Sequence, residues 1–161
     1  MISKQRKIEV VNELEGSLKN ANSVVFVKFD KLKVSDVNAL RRGLQKENIG
    51  YKVSKKTLLE RVLSGKGVEG ELPNLEGQVA IAYGEDLLAP AREVYSFQKG
   101  HKENISIVGG VFEGKYKNAE EMLSIATIPP LQTLRGMFVN LINSPIQRFA
   151  VVLDQIAQKK A

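Results

Sequence analysis

The residues best suited to do chemistry stand in one run, Tyr51-Lys52-Val53-Ser54-Lys55-Lys56-Thr57-Leu58-Leu59-Glu60-Arg61. Tyr51 and Val53 facing inward with Lys52 and Ser54 outward predict a short strand, and Leu58, Leu59, Val62 and Leu63 predict a short helix from Thr57. Lys55 and Lys56 then stand at a helix start, where backbone amides and the Thr57 hydroxyl can contact phosphate oxygens. The chemistry is the holding of a polyanion. Lys4, Arg6 and Lys7 near the head of the chain, and Arg41-Arg42 further on, are expected to widen this into one basic surface. Aromatic residues make up only 6% of the chain, so the expectation is recognition of folded RNA shape and backbone more than of unstacked bases. A merely solvated lysine-rich face is the plainer alternative.

No residues of other types assemble a reactive centre. There is no cysteine, which removes disulfide frameworks, zinc fingers, iron–sulfur sites and thiol catalysis together. The single histidine, His101, lies in the polar stretch Lys99-Gly100-His101-Lys102-Glu103 and reads as solvated. Gly65-Lys66-Gly67 lacks the spacing of a phosphate-cradling loop and the Ser or Thr that must follow its lysine, and Gly109, Gly110 and Gly114 do not fit a dinucleotide fingerprint. The acid pairs Glu85-Asp86 and Glu120-Glu121 fall at predicted helix starts, where the helix dipole accounts for them. Neither a catalytic site, a metal nor a cofactor is expected.

Charge is unevenly spread. The 161 residues carry a net +6 from 24 Lys and Arg against 18 Asp and Glu. Residues 1–66 alone carry +8 and residues 67–161 carry −2. Such asymmetry suits a polyanion partner, since each cation that neutralises a phosphate releases counterions. The length fits one domain with an appendage. No apolar run has the length of a signal peptide core or of a bilayer span, and with the missing cysteines this leads to the expectation of a cytoplasmic protein.

The elements that must position the basic run follow from periodicity. Residues 4–19 read as an amphipathic helix capped by Ser3, with Ile8, Val11, Leu14 and Leu18 as its apolar face. Ser23 to Phe29 reads as a mostly buried strand, Ser35-Asp36 as the start of a helix with Val37, Leu40 and Leu44 inward, and Ile49 to Val53 as a strand. A Gly- and Pro-containing loop over residues 64–77 leads to a strand at Val79 to Tyr83. A helix from Asp86 to Lys99 tolerates Pro90 in its first turn. Ile105 to Phe112 reads as a strand with a turn or bulge at Gly109-Gly110, followed by a short strand near Tyr116. This order predicts an α/β fold, a mixed sandwich whose sheet carries crossover helices, over residues 1–117.

From Asn118 the pattern is helical only, so residues 118–161 read as an all-helical tail. A short helix after a capping box of Asn118 and Glu121 stops at Pro129-Pro130. Leu131, Leu134, Met137, Phe138, Leu141 and Ile142 mark a second helix, ended by Asn143-Ser144-Pro145. Ile146, Phe149, Val152, Leu153 and Ile156 then form the apolar stripe of a last helix. A stripe that wide must be covered, by its own domain or by helices of another chain, and its place after a proline break favours the second. Three basic residues beside it are few for a membrane surface, and no membrane contact is expected.

Val34-Ser35-Asp36-Val37, Leu40-Arg41-Arg42, Lys52-Val53-Ser54-Lys55-Lys56-Thr57-Leu58-Leu59, Gly109-Gly110-Val111-Phe112-Glu113-Gly114-Lys115, Ala126-Thr127-Ile128-Pro129 and Ser144-Pro145-Ile146 occur in an order and spacing that resembles the bacterial ribosomal stalk-base family, the tenth protein of the large subunit, over essentially the whole chain. The resemblance implies a non-enzymatic protein of the cytoplasmic ribosome. Its first domain would bind large-subunit ribosomal RNA beside large-subunit protein eleven. Its tail would carry dimers of the acidic stalk protein, the twelfth protein, which recruit GTP-bound translation factors.

Carried over by position, the resemblance implies RNA contact by Arg6, Lys7, Arg41, Lys52, Lys55, Thr57 and Arg61, to which the basic run and the head of the chain add Lys56 and Lys4. It implies a stalk-dimer interface at Ile146, Phe149, Val152, Leu153 and Ile156. With 16 residues after Pro145, two dimers fit more easily than three. The chain departs from the family pattern at Lys56, where Asn is usual, at Lys31 and Lys33, where Gly and Thr are common, and at Ile128-Pro129-Pro130, where Leu-Pro is usual. The first three changes add positive charge. A ribosome-assembly or mRNA-binding factor with an internally packed tail is the alternative.

Overall fold

Four apolar residues in immediate succession, Val24 to Val27, leave the strand Ser23–Phe29 (β1) no polar face, and all four are buried. A strand of this kind needs cover on both sides of its sheet. The computed structural model, which describes residues 4–65, 67–70, 73–75, 77–101 and 104–160, provides it. Ser3, the expected helix cap, and the side chain of Lys4 lie outside the described residues.

The strands Gly50–Val53 (β2), Val79–Gly84 (β3), Ile105–Phe112 (β4) and Lys115–Asn118 (β5) join β1 in a five-stranded sheet of order β2-β3-β1-β4-β5. Every pairing is antiparallel. The crossovers expected from the alternation of strands and helices are present in split form. β1 and β2 share a direction with β3 inserted between them, and β3 and β4 share a direction with β1 inserted.

The helices Lys4–Lys19 (α1) and Lys56–Gly65 (α3) cover one sheet face, where Leu14, Leu18, Leu59 and Leu63 meet Phe26 and Ile81. The helices Val34–Lys46 (α2), Ala89–Gly100 (α4) and Ala119–Ala126 (α5) cover the other, where Leu40, Leu44, Val94 and Met122 meet Val25 and Val27. Ile8, expected inside, is 53% exposed, because it stands about 120° round the helix from Leu14. Lys7 and Val10 lie closer to the line of Leu14 and Leu18, which brings the first turns of α1 over the sheet with a lysine on that face.

Two tight places depend on glycine. A Cβ on Gly110 would stand 2.5 Å from the Val24 carbonyl oxygen and 2.8 Å from Met122 Cε, so α5 can close on β4 only without a side chain there. Gly114 (φ 76) and Glu113 (φ 51) form the two-residue turn between β4 and β5, both left-handed as such a hairpin requires. The bulge expected near Gly109 is real: Phe26 pairs with Gly109 and Val27 with Ile107, leaving Val108 as the extra residue.

Two of the positions that depart from the resembled family's pattern, Lys31 and Lys33, are locally unfavourable. Lys31, where glycine is common, has φ 49, a left-handed conformation that costs a residue with a Cβ about 1 kcal/mol. Lys33 occupies the N-cap of α2 and supplies no capping hydrogen bond, a role in which threonine would serve. Ser35 stands inside the helix, and its hydroxyl donates to Asp36 Oδ1 at 3.0 Å.

The chain divides into a unit of Met1–Ile128 and a unit of Pro129–Ala161. The sequence pattern starts the tail at residue 118, but α5 belongs to the sheet unit, because Met122 and Ala126 are buried against it. The Glu121 carboxylate accepts from the Asn118 N–H at 3.2 Å and from Lys117 Nζ at 3.3 Å, and these bonds hold its pKa below the ordinary carboxylate range. The second unit is one helix, Leu131–Lys160 (α6), and not the two expected. Pro145 removes the N–H that would bond the Leu141 carbonyl, and the Ser144 hydroxyl donates to that same carbonyl at 2.9 Å. The proline is therefore accommodated within the helix.

Replacing Gly110 with Ala should lower stability by about 1–3 kcal/mol through overpacking. Replacing Lys31 with Gly should raise it by about 1 kcal/mol. Urea unfolding midpoints of the purified chain read both.

Candidate nucleic-acid interface and partner helix

The turn Ser54-Lys55 joins β2, an edge strand, to α3, and the Lys55 carbonyl accepts from Leu58 and Leu59 N–H at 3.0 and 3.2 Å to start the helix. No acidic side chain occupies the first turn of α3, so its free amides are not neutralised from within. Lys55, Lys56 and Thr57 are exposed around these amides. Arg6 and Lys7 reach the same place from the first turn of α1. Between the two helices and the sheet lies a cavity of about 690 Å³ with these five residues on it. Val10, Phe29, Val53, Leu58 and Val79 give it aliphatic and aromatic walls, and Ser54, Gly77 and Gln78 complete the lining.

The basic residues expected to form one surface are thus only partly gathered. Among the described residues Lys7, Lys55 and Lys56 make no ion pair, whereas Arg6 pairs with Glu9 at 2.9 Å. Lys52 does not point into solvent as the strand pattern suggested. Both faces of the sheet are covered, and its side chain, 29% exposed, turns onto α1, where Nζ donates to Glu13 Oε1 at 2.9 Å and to Ser17 Oγ at 2.8 Å. The lysine holds the Glu13 pKa below its usual range, first through that hydrogen bond and then through its charge.

Arg41 and Arg42 stand on α2, across the sheet from α1 and α3, and so are not on the cavity. The Arg41 guanidinium lies 5.9 Å from the centre of the Tyr51 ring, and burial raises the Tyr51 pKa against the opposing influence of that cation. Arg61 is exposed on the outer side of α3. Val10, Gly77, Gln78 and Val79 were missed as lining residues. Val10 is not among the residues that helical spacing put on the apolar face of α1, and only the pairing of β3 with β2 brings residues 77–79 to this place.

In the second unit, Ile146 and Phe149 are 69% and 66% exposed, and Val152, Leu153 and Ile156 are exposed with them. Leu131, Leu134, Phe138, Leu141 and Ile142 fall on the same face by helical spacing and are also exposed. The stripe therefore runs unbroken past Pro145. It is not a bilayer span, since no described helix is long and apolar enough to cross a membrane. Among the described residues no three His, Cys, Asp or Glu come together as metal ligands.

The described chain thus comprises a sheet unit with a lysine-rimmed cavity and a second unit that is one amphipathic helix with an exposed apolar stripe. The profile of the family described as ribosomal protein L10 matches residues 2–99, and the chain belongs to that family, which comprises ribosomal proteins and not enzymes. It is 34% identical to the large ribosomal subunit protein uL10 of Shouchella clausii, over 97% of this chain and 94% of that one. It is 32% identical to the proteins of the same name from Bacillus licheniformis and Staphylococcus carnosus, with the same coverage.

The Glu13–Lys52 pair makes a pH-dependent contribution. A carboxylate whose pKa is lowered by folding stabilises the fold above the ordinary carboxylate range and ceases to do so as pH falls through its folded value. Glu13→Gln should therefore reduce the melting temperature at neutral pH. The difference from the parent chain should shrink as pH falls below the ordinary carboxylate range and vanish once Glu13 is protonated in the folded chain, as read by thermal melts at descending pH.

Proposed function

We propose that this chain is a structural protein of the large ribosomal subunit that joins large-subunit ribosomal RNA to dimers of the acidic stalk protein. The observation that carries the RNA half is the convergence of Arg6, Lys7, Lys55, Lys56 and Thr57 on one cavity whose described lining contains no carboxylate. Phosphates meeting that rim gain charge-assisted bonds from the lysines and from the open amides of α3. Lys52 contributes by fixing β2 against α1, and Arg41 and Arg61 meet RNA that wraps past the rim. Lys4 belongs to the same basic head of the chain.

The tail half rests on the stripe of Ile146, Phe149, Val152, Leu153 and Ile156. A lone helix has no core in which to bury such a stripe, and helices of a partner are the natural cover. We assign that cover to stalk-protein dimers, two of them beyond Pro145, which in turn recruit GTP-bound translation factors. Large-subunit protein eleven is the neighbour at the stalk base, and the assembly is cytoplasmic. The curated relatives, matched nearly end to end, carry the name of a large-subunit protein.

Filter binding to large-subunit RNA at increasing salt should give a steep log–log slope. Lys55→Glu with Lys56→Glu should make it shallower by about 1 for each phosphate that is no longer neutralised. Salt-independent binding, or an unchanged slope in the double variant, overturns the RNA assignment. In native mass spectrometry with the acidic partner, Phe149→Asp should weaken capture by about 2 kcal/mol or more while the sheet unit melts unchanged. Undiminished capture would remove the stripe from the interface.

A further inference from the structure

We propose that the cavity between α1, α3 and the sheet receives the base of one unpaired nucleotide of the bound RNA, while that nucleotide's phosphate stays on the lysine rim. This rests on the RNA reading above and gives it a second kind of contact. Of the cavity's walls, Val53 is the most telling. It ends an edge strand, it is 51% exposed, and Val10 of α1, Leu58 of α3 and Val79 of β3 line the same cavity.

The occupant follows from the two halves of the site. A ligand presenting phosphate alone would satisfy Lys7, Lys55 and Lys56 but leave the aliphatic walls wet. An apolar peptide would cover the walls but bring nothing for the three lysines to neutralise. An unpaired nucleotide does both, with a flat apolar face on one side of the glycosidic bond and an anion on the other. The volume of about 690 Å³ lies in the range of pockets that take small ligands, about 300–1,000 Å³. Ser54, Thr57 and Gln78, on the same cavity, supply the donors and acceptors that a base edge needs.

Aliphatic side chains can sandwich a flipped base as aromatic ones do. A count of aromatic residues therefore does not detect such a site, and this is why the sequence pointed to RNA shape and backbone more than to unstacked bases.

The test uses the full chain and deproteinised large-subunit RNA from the same cells. Hydroxyl-radical cleavage reports the backbone footprint, and base-specific modification reports protected base edges. The parent chain should protect one unpaired base within its backbone footprint. Val53→Trp, at an exposed edge position, and Val10→Phe fill the cavity from two walls without altering charge. Each should restore modification of that base and weaken binding about 5-fold to 150-fold, the worth of one stacked base, with an unchanged salt slope.

Base protection and affinity that survive both variants overturn the proposal while leaving the RNA reading intact. A salt slope that falls along with affinity also overturns it, since the cavity would then belong to the phosphate surface alone. A parent chain that leaves no backbone footprint defeats the RNA reading itself.

Discussion

Everything in the sheet unit depends on the two-sided burial of β1. Its alternate residues feed different cores, Val24 and Phe26 one and Val25 and Val27 the other. Both layers of helices are therefore obligatory, and neither can shift without exposing half of the central strand. Burying a side chain such as Phe26 is worth about 1.5–3 kcal/mol, and its removal costs more because a cavity is left. This constraint brings α1 and α3 to the same face and so places the head of the chain beside Lys55 and Lys56, about 50 residues away in sequence. The basic cavity is a by-product of core packing at its edge.

The same constraint separates lysines with different jobs. Lys52 sits on a strand whose faces are both covered, so its ammonium must find Glu13 and Ser17 within the fold. Lys55 and Lys56, only a few residues on, have left the sheet and are free to bind. Lys31 and Lys33 extend the positive charge at positions where the backbone would be better served by glycine and by a capping side chain. Charge has been placed there at the expense of local stability.

Much of this was legible in the sequence, because element type depends on local periodicity. The strand Ser23–Phe29, the helix after Lys55, the bulge at Gly109 and the capping box at Asn118 all carry signals within a few residues. What could not be read depends on distant partners. The strand pattern gave Lys52 an outward face because nothing nearby in sequence announces α1 above it. Arg41 and Arg42 joined the wrong face because helix handedness about the sheet is a property of topology. The tail boundary fell early because no strand signal follows residue 117, and only the burial of α5 against β4 separates it from the helix after it. Pro145 read as a break because the rule for proline considers the missing N–H and not a neighbouring hydroxyl able to take its place.

That substitution at Ser144 bears on how α6 behaves as matter. The second unit has no interior, so a run of 30 residues spanning about 45 Å draws its order from its own hydrogen bonds and from whatever lies along it. Each turn covered by a partner removes an opportunity to fray for the turns beside it. Were partners to cover the helix as proposed, occupancy at one end would stiffen the other through the rod itself, and successive ligands would bind with linked affinities although they never touch.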